Sequence, residues 1–387
     1  MHSRLQATRV SIFFFHAYIT VALEFISFFQ PDKLNISRTL AKKIENNLGT
    51  TTTTTITRTI TMTDIDYEYE RYLATTDTVK QVLDYYGVAI VPAILNEQEC
   101  DAMNRGMWHT LEHLSQTWDV PIQRDNPQSW RGAQRLYPKH SMLHQYWAIG
   151  HAQYVWDVRQ NDKVANVFAH IWDCAKEDML VSFDGVSYHM PPEQTNCGWY
   201  KGKDWLHSDQ SYLQKGFKCV QGWINGYDTN EGDASLTILE SSADYHNEFQ
   251  ERFHSTVKED WVVLNDEQLA FYETEKACLR KRIKCPKGCL VLWDSRTIHC
   301  GSEALKTRAK ENFRNVAYVC YEPRDRCTPK QLDRKRSAFD AMRMTSHWPC
   351  KSTLFAKLPR TFGNPLPDIT PLPAPILTDF GRHIAGF

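Results

Sequence analysis

Trp205-Leu206-His207-Ser208-Asp209-Gln210 is the stretch on which the reading of this chain turns. It lies among short apolar runs bounded by Gly, Asn, Asp and Pro, which is the pattern of strands rather than helices. In a strand, residues i and i+2 point to the same face, so His207 and Asp209 would present an imidazole and a carboxylate side by side. Similar runs surround it: Leu180–His189, Val220–Tyr227, Ala234–Leu239, Cys289–Trp293 and Asn315–Tyr321, with Trp205–Tyr212 itself as one of the set.

Working toward the N-terminus, the pattern changes to helical. Asp77–Tyr86 reads as a short amphipathic helix stopped by Gly87, and Val88–Leu95 as a β-rich run. Asn96-Glu97-Gln98-Glu99 is a capping box for a helix reaching about Trp118. His151–Ala175 carries Val155, Val158, Val164, Val167, Phe168, Ile171 and Trp172 at helical spacing. Helices first and many short strands afterwards predict an α+β fold with a β-sandwich or barrel core. Toward the C-terminus, six of the 17 prolines fall between Pro359 and Pro375, so residues 359–387 are expected to wrap or trail as a Pro-rich tail. The working domain is then 64–358.

Residues 1–63 differ in kind. Residues 11–29 (SIFFFHAYITVALEFISFF) form an apolar stretch with the length of a membrane span or signal segment, although His16 and Glu24 fall inside it. Asn35-Ile36-Ser37 is a formal glycosylation sequon, and ten of the fourteen residues from Thr50 to Thr63 are Thr. Three readings stand: a targeting segment or membrane tether, an extension upstream of a start at Met62, or part of the fold. This leader holds seven Lys+Arg against three Asp+Glu, leaving 38 against 43 in the rest of the 387-residue chain. The near-neutral total of −1 therefore hides a basic leader and a mildly acidic domain, which gives no strong nucleic-acid signal. The basic clusters Arg280–Lys284 and Arg324–Arg336 read as solvated faces. All eleven cysteines lie after residue 99, scattered, which suits a reduced, cytoplasmic setting.

The chemistry is carried by a few residues. His207 and Asp209 supply two members of the two-His, one-carboxylate set that holds Fe(II) while leaving positions open. H-x-D alone is a weak signal, and His246-Asn247-Glu248 is a rival in a stretch of helical character. The third member is His299, just past the buried run Leu290–Trp293. Arg314 then opens another β run, and its planar fork suits a dicarboxylate cosubstrate. Trp223, Asn225 and Tyr227 share one strand face and could line the pocket. Trp130, Arg131 and Arg135, and Trp199 to Lys203, are lid candidates. His144, His151 and His170 read as helix-surface residues.

This ordered series resembles the phytanoyl-CoA dioxygenase family of Fe(II)- and 2-oxoglutarate-dependent oxygenases. The likeness runs through Gly87–Pro92, Leu95–Cys100, Trp205–Asp209, Glu231–Leu236 with Glu240–Ser242 and His246, Trp293–Ser302 and Arg314–Tyr321. It implies a double-stranded β-helix (jelly-roll, cupin-like) core with flanking N-terminal helices. It further implies His207, Asp209 and His299 as iron ligands, Arg314 as the partner of the distal carboxylate of 2-oxoglutarate, Trp223 beside the cosubstrate and Ser302 as a second contact. Arg308 is a rival to Arg314, because the His299–Arg314 interval is longer than is usual in the family. The implied reaction consumes O2 and 2-oxoglutarate, releases succinate and CO2 and oxidises a C–H bond of a small-molecule substrate. Related halogenases lack the carboxylate, so Asp209 favours hydroxylation. Two departures, Glu240-Ser241-Ser242-Ala243 and His189-Met190-Pro191-Pro192, bear on substrate identity. A macromolecular substrate and a non-catalytic binding module are the competing readings.

Overall fold

A computed structural model describes residues 65–387 of the chain, which fall within a compact unit spanning Met62–Phe387. The leader's apolar stretch, its sequon and its threonine tract lie outside the described residues. Among the described residues, no helix is long and apolar enough to cross a membrane.

Among the described residues thirteen strands form: β1 (Tyr67–Glu68), β2 (Val88–Val91), β3 (Leu143–His144), β4 (Met179–Val181), β5 (Val186–His189), β6 (His207–Ser208), β7 (Val220–Asn225), β8 (Ser235–Leu239), β9 (Val262–Val263), β10 (Arg280–Ile283), β11 (Leu290–Asp294), β12 (His299–Ser302) and β13 (Arg314–Pro323). They make two sheets. One has the order β1-β10-β8-β12-β6-β9; the other is β2-β11-β7-β13-β5-β3, with β4 paired to β13. Every pairing is antiparallel except β1 with β10.

Strand alternation explains why the larger sheet is covered on both faces. Val220, Ile224, Leu290, Leu292, Ala317, Val319 and Tyr321 share a core cluster with the helices. The intervening residues Trp223, Val291, Trp293 and Val316 share a second cluster with Leu236 and Ile238 of β8 and Ile283 of β10, on the smaller sheet. Gly222 permits the helical contact. A Cβ there would lie 2.9 Å from Leu292 and 3.3 Å from Phe168.

The helices that supply this cover are α1 (Val79–Tyr86), α2 (Glu97–Ser115), α3 (Gln153–Arg159) and α4 (Asp162–Trp172). Gly87 ends α1 in the left-handed conformation, φ 76°. Asn96 and Glu99 form the expected capping box, a feature that contributes about 1 kcal/mol. The helical pattern over His151–Ala175 divides at Asn161, whose side chain caps α4. His170 is exposed, but His144 sits buried on β3 and His151 is buried beneath Trp156 and Phe183. Their expected helix-surface placement is therefore corrected: burial holds both imidazoles neutral, at about 3 and about 4.

Two further helices follow the sheets, after α5 (His246–Phe253): α6 (Pro329–Asp340) and α7 (Asp379–Ala385). The Pro-rich segment wraps the α2–α3 side, where Asp368 accepts from the Trp118 indole at 2.5 Å and Pro371 meets His113 at 2.9 Å. It ends by burying Ile384 and Ala385 of α7 in the main core, so it belongs to the same compact unit.

Neither basic cluster is simply a solvated face. Arg280–Ile283 is β10, with Lys281 and Arg282 buried and Lys281 paired to Asp66. In α6, Lys335 is buried. It donates to the carbonyls of Val181 and Pro349 and lies 4.1 Å over the Phe183 ring. Burial lowers its pKa from 10.5 to about 8, despite opposition from Cys350 and Cys327. Between these values the unfolded chain binds more protons than the folded one, so stability rises with pH across that window and is lost as pH falls through it. Urea unfolding at about pH 7.5 and about pH 9.5 should show wild type gaining about 2 kcal/mol relative to Lys335→Met. Equal gains in both proteins would contradict this.

Candidate metal centre

His207, on β6, and His299, the first residue of β12, are directly paired across two antiparallel strands. Their rings are 4.4 Å apart between centroids. Asp209 follows β6 immediately; its backbone N–H donates to Ser295 O, turning the chain beside the strand pair. The carboxylate thereby falls between the imidazoles. Asp209 Oδ1 is 3.4 Å from His207 Nε2, and Oδ2 is 3.3 Å from His299 Nε2. Candidate ligand atoms from these three buried residues all lie within 4.8 Å of one another, and among the described residues they are the group able to hold a metal ion.

The ring orientations are fixed from behind. His207 Nδ1 lies 3.1 Å from the Trp205 carbonyl and His299 Nδ1 lies 2.8 Å from that of Thr297. A carbonyl can only accept, so both Nδ1 atoms carry the proton and both Nε2 lone pairs face inward. Burial lowers the His207 pKa, against the attraction of Asp209. Burial pushes Asp209 up, but the neighbouring His207 and His347 outweigh it and hold the carboxyl well below its ordinary range. Neutral imidazole and ionised carboxylate are the forms a divalent cation requires, and the donor set fits the two-His, one-carboxylate pattern. One contact must yield to a metal: the Trp293 indole donates to His299 Nε2 at 3.1 Å.

The centre opens into a cavity of about 330 Å³, lined from both sheets. Arg314, at the start of β13, reaches it from the larger sheet and is buried. Its Nε donates to Ser187 Oγ at 2.9 Å and its Nη1 to Ala234 O at 3.1 Å, while the guanidinium lies 5.4 Å from the Trp223 ring. Among the described residues no carboxylate lies in salt-bridge range of it. Arg308, its rival, is bound to Glu193 and, at 3.0 Å, to Asp233, and it does not line the cavity.

Other expectations fare unevenly. Trp223 is fully buried under Arg314 rather than exposed to the cavity. Ser302 is also set apart from it, its hydroxyl engaged with Asp204 at 2.7 Å and Thr237 at 2.7 Å. Asn225 braces a turn, donating to Tyr227 O and Pro286 O and accepting from Cys289 N. Neither of these two side chains lines the cavity, and their polar atoms are bonded within the protein. His246 is buried against Tyr212, whereas Glu248 is half exposed and paired with Lys276, so that rival pair diverges. Trp130 packs against Trp108 and Phe313, and neither lid candidate segment lines the cavity.

The sequence reading missed the walls. Gln221, Trp293 and Tyr318 line the cavity and were accessible by strand alternation from Trp223, Val291 and Val316. Lys139, His140, Asp184, Asp260, Trp261 and His347 also line it, from distant segments with no local pattern. His140 stacks on Trp205 at 3.8 Å, and Trp205 on His207 at 4.6 Å, forming a continuous aromatic wall to the metal site.

The chain matches no protein-family model. Over 212 residues, 53% of its length, it is 28% identical to Ava biosynthesis cluster protein O of Aspergillus versicolor; the match spans 65% of that protein. Its fold is similar to that of a Salmonella typhimurium LT2 protein provisionally classed as an oxidoreductase, with a TM-score of 0.50, 13% identity and coverage of 81% of this chain and 83% of that one. The epimerase SnoN, in complex with Fe3+, alpha ketoglutarate and nogalamycin RO, is a more distant neighbour, with a TM-score of 0.39, 14% identity and coverage of 64% and 83%.

Proposed function

We propose that this chain is a non-haem Fe(II)- and 2-oxoglutarate-dependent dioxygenase, of the phytanoyl-CoA dioxygenase type and double-stranded β-helix fold, that hydroxylates a small molecule. The observation that carries the reading is a single cavity lined at once by the His207, Asp209 and His299 cluster and by a buried arginine without a carboxylate partner. A buried cation of that kind is costly unless an anion completes it.

Bound iron would supply activation of O2, coupled to conversion of 2-oxoglutarate to succinate and CO2 and to oxidation of a substrate C–H bond. The protein's part is placement. His207 and His299 would offer Nε2 with no reorientation, since their Nδ1 protons are already committed. Arg314 would hold the distal carboxylate of the cosubstrate, with Ser187 fixing the plane of its fork. Trp205, Trp293, Leu236 and Phe355 give the cavity apolar walls that exclude water and strengthen charge interactions inside it. Asp184, Asp260 and His347 give the same cavity polar groups for orienting a substrate.

A volume of about 330 Å³ suits a metabolite better than a folded macromolecule, and the Aspergillus versicolor relative is named for a biosynthesis cluster. All eleven cysteines are free, in keeping with a reducing compartment. A tether through residues 11–29 belongs to the same proposal and is tested by membrane fractionation with and without that stretch. Anaerobic titration of the purified protein with Fe(II) and 2-oxoglutarate should develop a weak visible charge-transfer band. No band, together with no 2-oxoglutarate-dependent succinate formation across a metabolite pool, would sink the oxygenase reading.

A further inference from the structure

Gln221 and Trp293 are directly opposite one another on β7 and β11, so their side chains leave the larger sheet on the same face. Both cross to the smaller sheet, and each meets one member of the metal cluster. The Trp293 indole occupies His299 Nε2 at 3.1 Å, the only nitrogen that ring can offer a metal. Gln221 acts on a ligand with two equivalent atoms. Its Nε2 donates to Asp209 Oδ2 at 2.7 Å, an oxygen that also lies 3.3 Å from His299 Nε2, and leaves Oδ1, 3.4 Å from His207 Nε2, without a donor of its own. The indole contact must therefore be surrendered on loading, whereas the amide contact can persist.

We propose that Gln221 is a positioning residue that reserves one oxygen of Asp209, so that the carboxylate binds the metal through Oδ1 alone. The inference rests on the metal-dependent reading of the site. Its consequence is a matter of coordination number. A carboxylate that chelates through both oxygens takes an extra position on the ion, and a chelating 2-oxo acid and O2 both need room there. Gln221 is suited to this task. It is buried, it is the second residue of a strand paired on both sides, to Trp293 and to Cys320, and its amide carries no charge that would compete for the cation. His347 Nδ1 is at 3.9 Å from the same oxygen, beyond hydrogen-bond length, so Gln221 makes the short contact.

The test uses the full chain loaded with Co(II), which reports coordination number through its visible d–d bands, and anaerobic 2-oxoglutarate as the probe. Gln221→Met keeps the side chain's length and removes the donor; Gln221→Glu keeps the shape and replaces the donor with an acceptor. In both variants the d–d spectrum of the Co(II) protein should shift toward that of a chelating carboxylate. The affinity of the Co(II)-loaded protein for 2-oxoglutarate should fall about 10-fold or more, the usual scale for a ligand-orienting partner. A residue that merely packs would lower the melting temperature of the apoprotein and leave the Co(II) bands unmoved. Spectra and 2-oxoglutarate affinity matching wild type in the folded variant would overturn the proposal while leaving the iron reading intact. Failure of wild type itself to bind Co(II) and 2-oxoglutarate would overturn both. If Gln221→Met does not fold, Gln221→Glu decides between these outcomes by the same two measurements, and Gln221→Asn, too short to reach Asp209, replaces it if neither folds.

Discussion

Asp209→Ala is expected to abolish Fe(II)-dependent succinate formation, a fall of at least about 1,000-fold, the scale on which a catalytic unit fails when one member is removed. The reason is geometric. Asp209 lies between the two imidazoles, 3.4 Å from one Nε2 and 3.3 Å from the other, and its charge is what offsets a divalent cation in a buried site. His207→Ala and His299→Ala should fail in the same way, since each removes an inward-facing lone pair from the cluster. The fold should survive Asp209→Ala, because the backbone bond from Asp209 to Ser295 and the β6–β12 pairing do not use the carboxylate. Near-UV circular dichroism of the variant checks this, and metal titration of the same sample checks the loss. A folded Asp209→Ala protein that still binds Fe(II) and turns over would remove these residues from the chemistry.

The second large effect concerns Arg314. Arg314→Met should raise the KM for 2-oxoglutarate about 100-fold, as expected when one partner of a buried charge-assisted pair is truncated. Metal affinity should change little, because Arg314 makes no contact with His207, Asp209 or His299. Arg314→Lys should recover only part of the loss, since an ammonium cannot grip a carboxylate in two places. Arg308→Met provides the contrast. Its guanidinium is bound to Glu193 and Asp233, so the substitution should lower the unfolding midpoint and leave the KM for 2-oxoglutarate near wild type. The reverse pattern, with Arg308 governing KM and Arg314 governing stability, would transfer the cosubstrate role to Arg308.

How much of this was legible in the chain varies with the range of the interaction involved. Capping at Asn96 and the stop at Gly87 were readable because a helix end is satisfied by side chains within a turn of it. Strand runs were readable where a whole face was buried, as in Val220–Asn225 and Leu290–Asp294. The run Trp205–Tyr212 was overextended. Only His207–Ser208 is strand, because Asp209 turns away to Ser295 and Ser208 bonds Gln210 O. Arg280–Ile283 went unrecognised as a strand, since its cationic residues concealed a segment whose charges are paired with Asp204, Glu273 and Asp66.

By itself the sequence determined the local units and the identity of the metal-binding candidates: the H-x-D spacing put His207 and Asp209 together as candidates, although a turn to Ser295 rather than strand alternation sets the carboxylate, and a buried run leads to His299 at the start of its own strand. Only the tertiary structure decided which polar residues share a cavity. Ser302, a second contact implied by the resemblance, and Asn225, a pocket-lining candidate, have their polar atoms engaged with Asp204, Thr237 and the Cys289 turn. Arg308 and Arg314 are both arginines near one strand start, and what separates them is the presence of two carboxylates around the first and none around the second. Whether a buried side chain is already satisfied depends on partners brought from distant positions, as Asp233 is to Arg308 across 75 and Thr237 to Ser302 across 65, and no periodicity in the chain encodes those distances.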